Sequence, residues 1–241
     1  MIPALARYAP LLAGHLAAHV GDGSPPLTQP SVPVHKYDTF VPYSVEIERD
    51  AQSFEQELVR VMADAVDQLH ATAFATGTGV GQPTGIITSL IGGASIVTGT
   101  TMTAAEVVAT QNALPPRFQP RARWCAALPI ANTIGQSESA AGARLYPEIT
   151  PSPRSLLSRP FHEASTMDPS IAAGATADYV LLYGDFSNYV IADRLGTRVE
   201  IVQHLMGAAR RPTLQRGLIL WGRVGADSVN DNGFRLLNAA S

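Results

Sequence analysis

Residues 42–87, PYSVEIERDAQSFEQELVRVMADAVDQLHATAFATGTGVGQPTGII, carry the reading on which the fold turns. Phe54, Leu58, Val61, Met62, Ala65, Leu69 and Ala73 recur at three- and four-residue spacing, the period of one helix face. Glu55, Glu57, Arg60, Asp64 and Asp67 fall on the other side, so the pattern predicts a one-sided helix lying on a sheet or a neighbour. Asp50 or Ser53 is the expected N-cap, and Ser53 with Gln56 has the spacing of a capping box. About 24 residues at 1.5 Å each give a rod roughly 36 Å long. Gly77, Gly79, Gly81 and Gly85 then stop it in a loop that needs backbone conformations open chiefly to glycine, before a short apolar strand at Ile86-Ile87.

Upstream of this stretch, Val32 to Ile47 is rich in Val, Tyr, Phe and Thr with rough alternation, which predicts a long strand interrupted at Pro42. Residues 21–33 hold four prolines and two glycines and read as an extended arm, after a short helix over 3–19. Downstream, Thr103 to Leu114 predicts a second helix ended by Pro115 and Pro116. Strands are expected at 123–127, 161–164, 179–183, 189–191, 197–202, 214–224 and 233–237. Residues 135–158 have little periodicity and read as a long loop after a short helix. The sum is an α+β chain with one dominant helix, and no repeat of 20 to 50 residues is present.

The chain has 241 residues, enough for one substantial core. Its most apolar N-terminal stretch, Ala4 to Val20, is broken by Arg7, Pro10, His15 and His19, short of what a membrane span needs. Cys125 is the only cysteine, so no internal disulfide forms, which fits synthesis in a reducing cytoplasm. Lys36 is the only lysine among 17 basic residues. Residues 1–75 hold nine acids against four bases, and the remainder holds 11 against 13. That asymmetry suits head-to-tail contact between copies and lacks the concentrated basic face of a dedicated nucleic-acid binder.

No catalytic or ligand-binding constellation emerges. The glycines follow a helix, whereas a dinucleotide fingerprint precedes one, and no lysine follows them as a phosphate loop requires. Cys125 with His162 or His204 is a conceivable nucleophile pair, yet ARWCAALP is the setting of a buried strand, where cysteine acts as a small apolar residue. The histidines at 15, 19, 35, 70, 162 and 204 are scattered, and only His15 and His19 have helical spacing. Gly135-x-Ser137-x-Ser139 fails as a nucleophile elbow at its last glycine. The expectation is no catalytic, cofactor-binding or metal residue, no cofactor and no enzyme activity.

In order along the chain, the motifs resemble the major capsid proteins of tailed bacteriophages, the Hong Kong 97 fold. Ser44, Asp50, Phe74, Gly77, Gly79, Gln82, Pro83, Gly85 and Ile86 hold the places of the family's strand end, spine helix and G-x-G-x-x-x-P-x-G-I loop. ARWCAALPIANTI resembles its axial strand and helix, and LLSRPFHEASTM its "llGrPv" segment, with Ser158 for the usual glycine. YVLLYGDFSNYVIADRLGTRVEI and LQRGLILWGRVGADSVNDNGFRLLN resemble its closing segments, so residues 31–238 are covered.

The resemblance implies an α+β capsid fold in four parts: residues 1–30 as N-terminal arm or extended-loop remnant; 31–100 as peripheral domain, with spine helix 51–75 and glycine loop 77–85; 101–200 as axial domain; and 201–241 as strands returning to the peripheral domain. With only residues 1–50 ahead of the spine helix, it implies a shortened arm or extended loop. It implies a phage or prophage shell protein forming pentamers and hexamers of an icosahedral capsid around double-stranded DNA, assembled in the bacterial cytoplasm without a membrane. Portal, scaffold or decoration proteins are the expected further partners. The alternative is a nanocompartment shell enclosing an enzyme cargo. The type member of the family cross-links a lysine to an asparagine of a neighbouring subunit. Here Lys36 aligns toward the base of the extended loop, and Leu214 or Gln215 stands at the asparagine's place, so a non-covalent shell is expected.

Overall fold

His35–Ser44 forms β1, a strand of alternating exposure that is not interrupted by Pro42. It is an edge strand, where the donor that proline lacks is tolerated. The computed structural model describes residues 31–239 apart from 52, 94, 100, 101, 173, 175 and 176, so the expected arm and the helix over 3–19 lie outside the described residues. The strand ends sooner than the alternation at Val45 and Ile47 suggests, because Val45–Asp50 forms a short helix, α1. The Ser44 side chain caps it by accepting from the Glu46 amide at 3.2 Å, and Glu48 pairs with Arg216.

The dominant helix, α2, runs over Phe54–Thr76. Ser53 is its N-cap residue, but no side-chain cap bond forms, so the expected capping box with Gln56 is absent. A capping box forms instead at Thr103 and Glu106. The buried stripe of α2 is narrower than the apolar pattern: Met62, Val66 and Ala73 are buried, while Val61, Ala65 and Leu69 face solvent. Ile86–Leu90 forms a helical turn, α3, where a strand was expected; three of its five residues are buried, so its apolar run is covered on several sides.

Beyond it come β2 (Ile96–Gly99), α4 (Ala104–Ala113), β3 (Arg123–Ala126), α5 (Leu128–Gln136), β4 (Ser155–Leu156) and β5 (Arg159–Glu163). β6 (Tyr179–Gly184), β7 (Tyr189–Val202), β8 (Gln215–Ser228) and β9 (Phe234–Ala239) complete the chain. The two strands expected at 189–191 and 197–202 are one, since β7 carries its irregularities at Asp193, Leu195 and Arg198 without leaving the ladder.

These strands make two sheets. One has three strands in the order β1-β8-β7, all antiparallel; the other has six in the order β2-β9-β6-β3-β5-β4. The sheets do not follow the contiguous blocks expected from the sequence. β2, inside 31–100, and β9, inside 201–241, both join the six-stranded sheet, and β7, which begins inside 101–200, joins the three-stranded one. The physical reason is pairing: Phe234, Leu236 and Leu237 of β9 are apolar on both faces and fit a sheet covered on both sides.

Leu182, Phe234 and Leu236 pack with Ile86, Ile87, Leu90 and Met167 on one face of that sheet. Trp124, Tyr183, Ile134, Leu156 and Leu237 belong to a larger cluster on the other, with Trp124 and Tyr183 stacked at 4.1 Å. The three-stranded sheet has a thin core by comparison: Tyr43, Leu218 and Leu220 under Met62 and Val66 of α2. Among the described residues the chain crosses between the two regions three times, at the glycine loop into α3, at 185–188 from β6 to β7, and at 229–233 from β8 to β9.

Candidate functional site

The chemical candidates separate in space. Cys125 lies in β3, packed against the Ile86 cluster, and burial pushes its thiol up to about 11, so it stays protonated and non-nucleophilic near neutrality. His162 is its register neighbour on β5, but the His162 Nε2 stands 3.2 Å from an Arg123 guanidinium nitrogen, a cation in the place where a base would need an acceptor. His204 is exposed beyond the end of β7. His35 and His70 line one cleft with Tyr37, while His15 and His19 lie outside the described residues. Among the described residues no three His, Cys, Asp or Glu side chains gather as metal ligands would. Ser137 and Ser139 of the failed elbow are spent on local turns.

The glycine loop is a tight structural clasp. Gly79 and Gly81 have φ of 78° and 69°, the left-handed region that glycine occupies at least cost. At Gly85 space decides, since a Cβ there would stand 2.5 Å from the Gly77 nitrogen and 2.6 Å from the Ala75 backbone. Several of the loop's amides are already used, Gly77 donating to Ala73 O, Val80 to the Thr78 hydroxyl and Gly85 to Gly77 O. Thr84 donates to Ala226 O on β8. The Tyr189 hydroxyl, at the first residue of β7, lies 3.1 Å from Phe74 O and 2.7 Å from Thr84 O, tying the end of α2 to the far side of the loop. Burial pushes this phenol well up, so the clasp stays protonated at any ordinary pH.

What the three-stranded region leaves open is apolar surface. Val61, Ala65 and Leu69 form a row at four-residue spacing along α2, with Val61 64% and Leu69 52% exposed. Val190, Ile191, Val199 and Ile201 are exposed along β7, an edge strand with unpaired backbone groups, and Met206 and Leu214 at the tip beyond it are open as well. Surface of this kind marks contact with other chains. The sequence marked Val61, Ala65 and Leu69 as apolar but placed them on the same face as Met62; Tyr189 and the continuity of the β7–β8 ribbon had no signal.

Residues 13–239 match the phage capsid family. The chain belongs to that family. It is a structural shell protein of bacteriophage type, a component of a virion capsid that assembles with copies of itself. The alternative of a nanocompartment shell is not favoured.

The fold agrees. The capsid subunit superposes on the chain titled capsid of the native GTA particle with a TM-score of 0.77, at 24% identity over 93% of this chain and 81% of that one. A chain from Microbacterium phage Oxtober96 gives 0.68 at 12% identity, covering 93% and 80%, and one from Gordonia phage Cozz gives 0.66 at 12%, covering 93% and 78%. At these identities the likeness is one of fold. No curated protein matches the chain.

The cross-linking candidates are far apart along one ladder. Lys36 lies opposite Arg223 and pairs with Asp38 at 3.4 Å, while Gln215 faces Ser44 at the other end of β1. No helix of the described residues is long and apolar enough to cross a membrane.

Proposed function

We propose that this capsid subunit forms the pentamers and hexamers of an icosahedral shell around double-stranded DNA, assembled in the cytoplasm of a bacterial host, and performs no catalysis. In this reading the six-stranded sheet is the axial domain, gathered around the symmetry axes. The three-stranded sheet with α2 is the peripheral domain, with α2 as spine helix. The observation that carries the reading is the open apolar row Val61-Ala65-Leu69 beside the exposed β7 edge, in a chain of the capsid family. Many weak copies of such contacts let misplaced subunits leave while the closed shell holds. Portal, scaffold or decoration proteins would complete the particle.

Electron microscopy of the purified chain tests this: closed shells of phage-head size support it, and a protein that stays monomeric refutes it. Nuclease-protected DNA of genome length in particles from the host supports DNA packaging, whereas a protein cargo would mark a compartment. Mature particles run on a denaturing gel should give one band near 25.5 kDa, because Lys36, the only lysine, aligns toward the base of the extended loop and no asparagine stands at the partner position. A ladder of covalent multimers that survives reduction would refute the non-covalent shell.

A further inference from the structure

The loop 137–158, which has no periodicity in sequence, folds back against α5 and closes a cleft of about 190 Å³. Its return is fixed by Ser139 donating to Ala143 O at 2.8 Å and Leu145 to Ser137 O at 2.9 Å, with the turn at Gly142. Gly135 of α5 lets the loop approach: a Cβ there would stand 2.9 Å from Ile149. The polar lining is Asn132, Gln136, Arg144, Thr150 and Arg154, over a floor that includes Ile149. It therefore presents two guanidinium groups, two carboxamides and a hydroxyl, and no carboxylate.

Two acids lie nearby: Glu138, which stands opposite Arg144 across the loop's return without an ion pair to it, and Glu148. The ion pairs among the described residues are Lys36–Asp38, Arg121–Asp185 and Arg216–Glu48, none of them here. Glu148 instead accepts from the Leu157 amide. Arg154 Nη1 is buried without a hydrogen-bond partner among the described residues. A guanidinium nitrogen that has lost its water and found no acceptor is a cost to the isolated subunit, removed when an oxyanion enters.

We propose that the cleft receives a carboxylate side chain from a second copy of this chain, as one of the contacts that join subunits; the proposal rests on the shell reading above. A protein side chain fits better than nucleic acid, because a recessed cleft of this size admits one acidic side chain, methylenes against Ile149 and carboxylate between Arg144 and Arg154. The backbone of a duplex cannot enter it. Charge complementarity points to the same source, since residues 31–75 carry eight acids against three bases, and Glu57, Asp64 and Asp67 of α2 are exposed and outside every ion pair above.

The test compares the full chain with R144Q and with R144Q/R154Q, following shell formation by sedimentation and electron microscopy over a range of protein concentration, with glutarate as a free mimic of the glutamate side chain. Arg144 is exposed, so R144Q keeps the fold even if the double variant does not. The expected result is that the variants need roughly ten-fold or more protein to assemble and that glutarate raises the threshold of the unaltered chain alone. An unchanged threshold in R144Q, or an unaltered chain indifferent to glutarate, overturns the proposal and leaves the shell reading standing. Variants that assemble normally but lose nuclease-protected DNA would overturn it in favour of a nucleic-acid contact. If the unaltered chain forms no shells, the shell reading itself fails, and this proposal with it.

Discussion

Trp124 in the six-stranded sheet has no solvent exposure, whereas along β7 of the three-stranded sheet the aliphatic residues Val190, Ile191, Val199 and Ile201 all stay open to water. The first region covers both faces of its sheet, with α3 on one side and α5 on the other, and its central strands β6 and β9 read as largely apolar runs. The second covers one face thinly with α2 and leaves an edge and a row of side chains uncovered. One part of the subunit is finished on folding, and in the reading proposed above the other is finished only on assembly. The same apolar residues serve both purposes, and burial in the subunit tells them apart.

Truncation should separate the regions most sharply. Trp124→Ala removes a stacked indole from the centre of the finished core and should cost about 3–5 kcal/mol, lowering the whole-chain denaturation midpoint. Met62→Ala, in the thin core, should cost about 2–3 kcal/mol, near the lower end for such changes. Its effect should show first as faster amide exchange in β1, β7 and β8. If the two substitutions cost the same and speed exchange everywhere alike, the contrast between the regions is wrong.

Gly85→Val probes the junction, since its new Cβ meets backbone that cannot give way, and a loss of about 1–3 kcal/mol in thermal or denaturant unfolding is expected. A variant as stable as the parent would show that the glycine loop is not the tight clasp described.

A smaller effect concerns pH. His70 packs edge-on to Tyr37 and stacks with Phe74, and its Nε2 is buried without a partner. The cleft around it also holds His35, Lys36, Asp38 and Gln82. Burial pushes its imidazole below the ordinary value of 6.5, against a weaker upward pull from Asp67 and Asp193. The unfolded chain therefore takes the proton first as pH falls. The stability is intact above pH 6.5 and is lost as pH drops from there through the folded value. The melting temperature should fall modestly between pH 7 and 5.5, and His70→Leu should flatten that part of the profile; an unchanged slope would refute the assignment.

The smallest effect on the subunit is expected where the effect on assembly is greatest. Val61→Asp on the open row of α2 should change subunit stability by no more than about 0.5 kcal/mol while abolishing shells by sedimentation. Shells of normal yield from this variant would mean that the row faces nothing.

These contrasts explain what could be read in advance. The helix over 54–76 and the positive φ at Gly79 and Gly81 follow from local spacing and from the special freedom of glycine, and both were legible. The face of the helix was less so. Val61, Ala65 and Leu69 satisfy the same periodicity as Met62, and sequence alone does not say which apolar positions its own sheet covers and which stay open. The α1 helix was missed because Val45 and Ile47 also alternate as a strand would, and one Ser44 cap bond decides otherwise. Arg144 and Arg154 lie ten positions apart in a loop without period, and only the fold-back onto α5 brings them to one cleft.

The three chain crossings between the two sheets have a mechanical consequence. Two bodies joined by one linker swivel freely, whereas bodies pinned at three separate points have almost no rotational freedom left. The Tyr189 hydroxyl tightens the arrangement by bracing the first crossing from the start of β7, beside the second. On the shell reading proposed above, a subunit built this way would meet the differing curvature of a closed surface in its slender parts, the β7–β8 ribbon and the long helix, like a rigid plate carrying a leaf spring.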